Sequence, residues 1–118
     1  MALTRRALLG TTLGAAALLA GCSEEAVSPD TKIVDVRTPA EFAAGHLEGA
    51  TNIDVEANDF ATKIAKLDKN ASHLVYCRSG NRSAQAKSKM SASGFAHVTD
   101  GGAMEAAATK TGKKIVKG

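Results

Sequence analysis

The chain has 118 residues, with 15 lysines and arginines against 12 aspartates and glutamates and a formal charge of +3. That length holds one domain rather than two, and so small an excess of positive charge is not a nucleic-acid footprint. With no tryptophan, one tyrosine and three phenylalanines, aliphatic residues and alanine must fill the core, which predicts modest stability for a short chain.

Met1 to Arg6 carries two arginines and no acid, and Ala7 to Ala20 follows with 14 residues free of charge. A basic start, a short apolar stretch and small residues at its close predict an export signal. A helix that spans a bilayer needs about 20 apolar residues, so a permanent transmembrane anchor is the weaker reading. The closing "LAGC", Leu19 to Cys22, resembles a bacterial lipobox, in which the cysteine is acylated and becomes the first residue of the mature protein. "TRRALLG", Thr4 to Gly10, partly resembles a twin-arginine export motif. Acyl chains on Cys22 are then expected to hold the protein at the bacterial cell membrane or its periplasmic face, at ~0.8 kcal/mol per buried methylene. Without residues 1–21 the chain keeps 97 residues, 13 basic and 12 acidic, so no nucleic-acid partner is expected. Residues 22–31, polar and interrupted by Pro29, read as a tether, and residues 32–118 as the folded domain.

"KIVDV", Lys32 to Val36, is a β-branched run suited to a buried strand. Thr38 is placed to cap a helix that opens on Pro39 and stops at Gly45. "ATNI", Ala50 to Ile53, predicts a second strand, and Phe60, Ile64 and Leu67 lie on one face of a helix within residues 58–67. "HLVYC", His73 to Cys77, predicts a third strand, and residues 83–93 a helix ended by Gly94. "FAHVT", Phe95 to Thr99, predicts a fourth strand, "DGG" a turn, and residues 103–110 a last short helix, with Ile115 and Val116 closing the apolar pattern. Strands alternating with helices at this spacing predict an α/β fold, a parallel sheet of four to five strands with helices on both faces.

If Cys22 is lipidated, Cys77 has no partner for an internal disulfide, and an unpaired thiol in an oxidising compartment points to chemistry. Cys77 falls where a strand ends and a helix begins, the place where open parallel sheets bind ligands. "RSGNR", Arg78 to Arg82, follows it. Small residues there let backbone amides turn inward around an anion, and the following helix adds its positive end. A sulfur beneath such amides is held as thiolate, with Arg78 and Arg82 adding charge, so the loop predicts a nucleophile facing a pocket for a small anion. The plainer alternative is an inert, buried strand end.

"VDVRTPAEFAAGHLEGATNI", then "LVYCRSGNRSA", "GF" and "DGG", together resemble a single-domain rhodanese, from Lys32 to the end of the chain. The resemblance implies a rhodanese-like fold in which Cys77 accepts a sulfane sulfur, becomes a persulfide and passes the outer sulfur on. It makes Arg78, Ser79, Gly80, Asn81 and Arg82 the cradle for the donor, and Asp35 and Arg37 structural braces of the first strand and the loop. The implied partners are a small anionic sulfur donor such as thiosulfate and a thiol or cyanide acceptor, with no cofactor. His46 is expected in a structural turn. His73 and His97 are expected to pack in or beside strands, and with Cys77 they lack the spacing of a metal site.

Two rivals stand beside this reading. Tyrosine phosphatases and arsenate reductases also use a loop cysteine, but with five residues before the arginine, where this loop has four, Arg78 to Asn81. A non-turnover module that senses persulfide or binds a partner needs the same sulfur and no catalysis. The chain departs from the family pattern twice. Few residues precede "DVR", which predicts a reduced first edge of the sheet. Ala106 stands where the family tends to place tryptophan, which predicts a cavity unless neighbours close in.

Overall fold

The computed structural model describes residues 27–118. Cys22 and the segment read as an export signal lie outside the described residues. Ten elements follow in chain order: β1 (Lys32–Asp35), α1 (Pro39–Ala44), β2 (His46–Leu47), β3 (Thr51–Asn52), α2 (Phe60–Ile64), β4 (Ser72–Cys77), α3 (Asn81–Ala92), β5 (His97–Ala103), α4 (Met104–Thr111) and β6 (Ile115–Val116).

β3, β1, β4 and β5 form, in that order, a wholly parallel four-stranded sheet. β2 and β6 make a separate antiparallel pair. Alternation along the two central strands sorts the core into two layers. Val34, Val36, Val75 and Cys77 face Phe60 and Ile64 of α2 and Ala86 and Met90 of α3. Ile33, Leu74 and Tyr76 face Leu47 and Ala107 of α4. With apolar layers on both sides, β4 is buried from His73 to Cys77, as its unbroken apolar run requires.

Several boundaries move, each for a local reason. α1 opens on a full capping box, with Thr38 and Glu41 each satisfying the other's backbone N–H. α2 is shorter than residues 58–67, but Leu67 still packs on the core through a turn in which its N–H donates to the Ile64 carbonyl at 2.9 Å. α3 starts at Asn81, because Gly80 takes the left-handed φ of 102° that turns the chain into the helix. "DGG" is not a turn: it lies within β5, whose pairing with β4 slips between Val75–Asp100 and Tyr76–Gly102. Gly101 is the residue left over by that slip, and a Cβ there would stand 2.6 Å from Leu74 Cδ2, so any side chain would force Leu74 to move. Ala106 is exposed on α4, so a methyl group there opens no buried cavity. The end of the segment read as a tether lies against the domain, with Val27 packed on the Leu47–Tyr76 layer. Its N–H donates to the Lys110 carbonyl at 3.4 Å.

Candidate active site

β4 delivers Cys77 to the carboxyl end of the sheet, and the left-handed Gly80 turns the chain back over it. The Gly80 N–H donates to Cys77 Sγ at 2.9 Å and the Ser83 N–H at 3.3 Å. Burial pushes the Cys77 thiol up. The Ser83 hydroxyl and the amides of Ser83, Gly80 and Ser79 pull it down, and together they win, so the thiol lies below its ordinary value. The Ser83 hydroxyl and the amides aimed at the sulfur together stabilise the anion more than its removal from water costs.

The remaining loop residues divide by role. Gly80 supplies both the turn and a donor, Ser79 an amide, and Asn81 opens α3. Arg82 pairs within the protein: its Nη1 and Nη2 reach the two Glu41 carboxylate oxygens at 2.7 and 3.1 Å. This bidentate pair ties α3 to α1. It raises Arg82 and holds the Glu41 carboxyl at about 2. Arg78 is exposed. With Arg37, Glu41, Ala44, Met104 and Glu105 it lines a cleft of about 230 Å³. Cys77 does not line that cleft and has no exposed surface, so the sulfur sits beneath the loop rather than facing an open pocket. A larger cavity, about 350 Å³, lies at the opposite end of the sheet around Lys32 and His73, away from the sulfur.

Asp35 and Arg37 lie on and just after β1 and pair in a buried fork: Arg37 Nε reaches the two carboxylate oxygens at 3.0 and 3.1 Å, and Nη2 reaches Oδ2 at 2.6 Å. The same Nη2 donates to the Gly45 carbonyl at 2.6 Å, which fixes the end of α1. Tyr76 completes this network, donating its hydroxyl to Asp35 Oδ2 at 2.8 Å and accepting the Leu47 N–H at 2.9 Å. Burial, and then the Asp35 carboxylate, push the Tyr76 phenol up. His46 stacks on Phe42 at 3.7 Å with Nδ1 on the Phe42 carbonyl at 2.8 Å. His73 meets Phe95 edge-on at 5.3 Å, and burial lowers it, while His97 is exposed on β5.

Sequence reasoning passed over four contributors. Glu41 was legible as the third residue of a capping box, but its pairing with Arg82, 41 residues on, was not. Tyr76 gave no signal beyond an apolar strand. Ser83 and Asp100 meet only because β5 runs beside the loop: the Ser83 hydroxyl donates to Asp100 Oδ1 at 2.7 Å, and no local pattern links them.

A parallel sheet, two apolar layers and a strand-end cysteine under a ring of amides define an α/β anion-loop protein, and comparison with known proteins names the kind. Residues 16–109 match the rhodanese-like domain family. The chain belongs to that family. The match begins at residue 16, ahead of Lys32. Thiosulfate sulfurtransferase PspE of Escherichia coli is 36% identical over 72 residues, 61% of this chain and 69% of the relative. Thiosulfate sulfurtransferase GlpE of Pseudomonas entomophila is 40% identical over 72 residues, 59% of this chain and 64% of the relative, just under two thirds of its length. A solved Escherichia coli structure described as a rhodanese with anions superposes with a TM-score of 0.61 at 34% identity, covering 75% of this chain and 99% of that one.

Proposed function

We propose that the protein is a rhodanese-type sulfurtransferase that moves a sulfane sulfur from thiosulfate or a similar anionic donor to a thiol or cyanide through a Cys77 persulfide. One observation carries the reading: Cys77 Sγ, at a strand end, accepts the Gly80 and Ser83 amides, which favour its thiolate. The thiosulfate sulfurtransferases among its relatives support the same class.

In the first half-reaction the Cys77 thiolate attacks the outer sulfur of thiosulfate. The sulfur–sulfur bond breaks, its electron pair leaves on sulfite, and Cys77 carries the persulfide. In the second, an acceptor thiolate or cyanide attacks the outer sulfur and Cys77 returns to thiolate. Splitting the transfer lets one set of amides stabilise sulfur charge in both halves. Because Cys77 is fully buried at rest, the donor reaches it only when the cover over the sulfur shifts.

That burial favours a second reading, a persulfide carrier or sensor that turns over slowly or not at all. Intact mass after exposure to thiosulfate tests the first half-reaction: the protein gains one sulfur, an added thiol removes it, and Cys77→Ala gains none. Steady turnover of thiosulfate with cyanide then separates enzyme from sensor. Sulfur transfer that survives intact in Cys77→Ala overturns both readings. For location we propose export and a lipid anchor on Cys22, checked by the mass of the mature amino terminus.

A further inference from the structure

We propose that Asp100 is a positioning residue for Cys77, acting through Ser83, whose single hydroxyl hydrogen is shared between the Asp100 carboxylate and the Cys77 sulfur. The inference rests on the sulfur-carrier reading and adds the control of how tightly the sulfur's charge is held.

Three observations meet here. Ser83 is fully buried in the first turn of α3, and its own N–H already donates to Sγ at 3.3 Å. Its hydroxyl lies 2.7 Å from Asp100 Oδ1 and 3.0 Å from the Gly80 carbonyl, and it helps to pull the Cys77 thiol down. Asp100 is held in place by the Gly102 N–H, which donates to the same Oδ1 at 2.9 Å, at the point where β5 slips against β4. The slip that makes room for Gly101 thus presents a carboxylate to the helix that covers Cys77.

A serine hydroxyl has one hydrogen to give, and three acceptors compete for it. A carboxylate at 2.7 Å outbids a neutral carbonyl at 3.0 Å, so while Cys77 is a thiol the hydrogen belongs to Asp100. When Cys77 ionises, its sulfur becomes the second anion at the same hydroxyl. Asp100 then withholds part of a hydrogen bond that would otherwise hold the thiolate down. A thiolate held less tightly is the stronger nucleophile, because intrinsic reactivity falls as the thiol becomes more acidic. The other charged groups around the loop are Arg82, its partner Glu41, the exposed Arg78, and Glu56, whose charge acts on Arg82. Among the described residues none of these bonds Ser83 or Asp100.

The test is the pH dependence of Cys77 alkylation by iodoacetamide in the full chain, read on the Cys77 peptide by mass spectrometry. Wild type, Asp100→Asn, Ser83→Ala and the double variant are compared. Asn keeps an oxygen for the Gly102 N–H but loses the charge that draws the hydroxyl hydrogen. Asp100→Asn should therefore move the midpoint to lower pH by about one unit, a tenfold gain in thiolate fraction below it. In the Ser83→Ala background the same change should move it clearly less, since only the direct effect of the charge remains. Ser83→Ala alone should move the midpoint to higher pH. Equal Asp100→Asn shifts in the two backgrounds overturn the proposal, because a purely electrostatic effect needs no hydroxyl. An unchanged midpoint in Ser83→Ala overturns it as well, and that variant suffices if Asp100→Asn does not fold. Persulfide formation by thiosulfate, followed by mass on the same proteins, keeps the two questions apart. A wild type that gains sulfur while the midpoints fail the pattern sinks only the Asp100 role, whereas a wild type that never gains sulfur sinks the carrier reading.

Discussion

Cys77 sets desolvation against hydrogen bonding, and hydrogen bonding from the Ser83 hydroxyl and the amides prevails. Its thiol lies below the ordinary value, so the thiolate persists to lower pH. The rate of persulfide formation should rise with pH and level off below the range where a free thiol would still be titrating, which a stopped-flow profile with thiosulfate would reveal. A profile still climbing through that range would show that burial dominates. Arg82 and Glu41 make a second residue-scale case. The Glu41 carboxyl is held at about 2 against an ordinary 4.5, first by the Arg82 guanidinium. A depressed carboxyl stabilises the fold above its unfolded value and loses that contribution as pH falls through the folded one. Acid destabilisation between roughly pH 5 and pH 2 should therefore be shallower in Glu41→Gln. At neutral pH that variant should be less stable by about 1 kcal/mol, since the pair is only part-buried. Urea unfolding at several pH values measures both.

At the scale of elements, the site is made by the joint between β4 and α3 and by the strand beside it. The strand carries the sulfur to the sheet edge, Gly80 reverses the chain and donates its own N–H, and α3 returns the Ser83 N–H toward its preceding strand. β5 is the element whose reading failed. "DGG" has the composition of a turn, yet its backbone pairs with β4 because a neighbouring strand supplies partners that local propensity ignores. Gly101→Ala tests that pairing: the new methyl would meet Leu74 Cδ2 at 2.6 Å and the Val75 carbonyl oxygen at 3.1 Å. Overpacking of this kind costs ~1–3 kcal/mol, a drop of about 4–8 °C in melting temperature per kcal/mol for a domain this size. An unchanged melting temperature would mean that β5 does not slip there.

Across the whole molecule, Asp35, Arg37 and Tyr76 join β1, β4, the end of α1 and β2 through one buried network. Its members differ in what they leave behind when removed. Tyr76→Phe strips a partner from Asp35 and from the Leu47 N–H, a loss of ~1–3 kcal/mol. Arg37→Met leaves the Asp35 charge buried and uncompensated, worth ~3–5 kcal/mol, which approaches the whole stability of a small domain at ~5–15 kcal/mol. Chemical denaturation should rank Arg37→Met as the more damaging, and the reverse order would mean that the carboxylate is not held in its charged form. In the sequence Asp35 and Arg37 were legible as braces of the first strand and the loop only through the family resemblance. Tyr76 entered the same network from 41 residues away, beyond the reach of any pattern along the chain.

By itself the sequence determined the alternation of strands and helices, the parallel sheet, and the strand end that carries Cys77, because apolar periodicity and capping residues are local signals. Glycine after the cysteine was equally legible as a turn. Only the tertiary structure decided which charges are spent on the protein itself, as Arg82 is on Glu41, and that the sulfur lies under its loop rather than open to solvent. Those outcomes depend on which distant segments pack together, and long-range contacts leave no periodic trace in the chain that makes them.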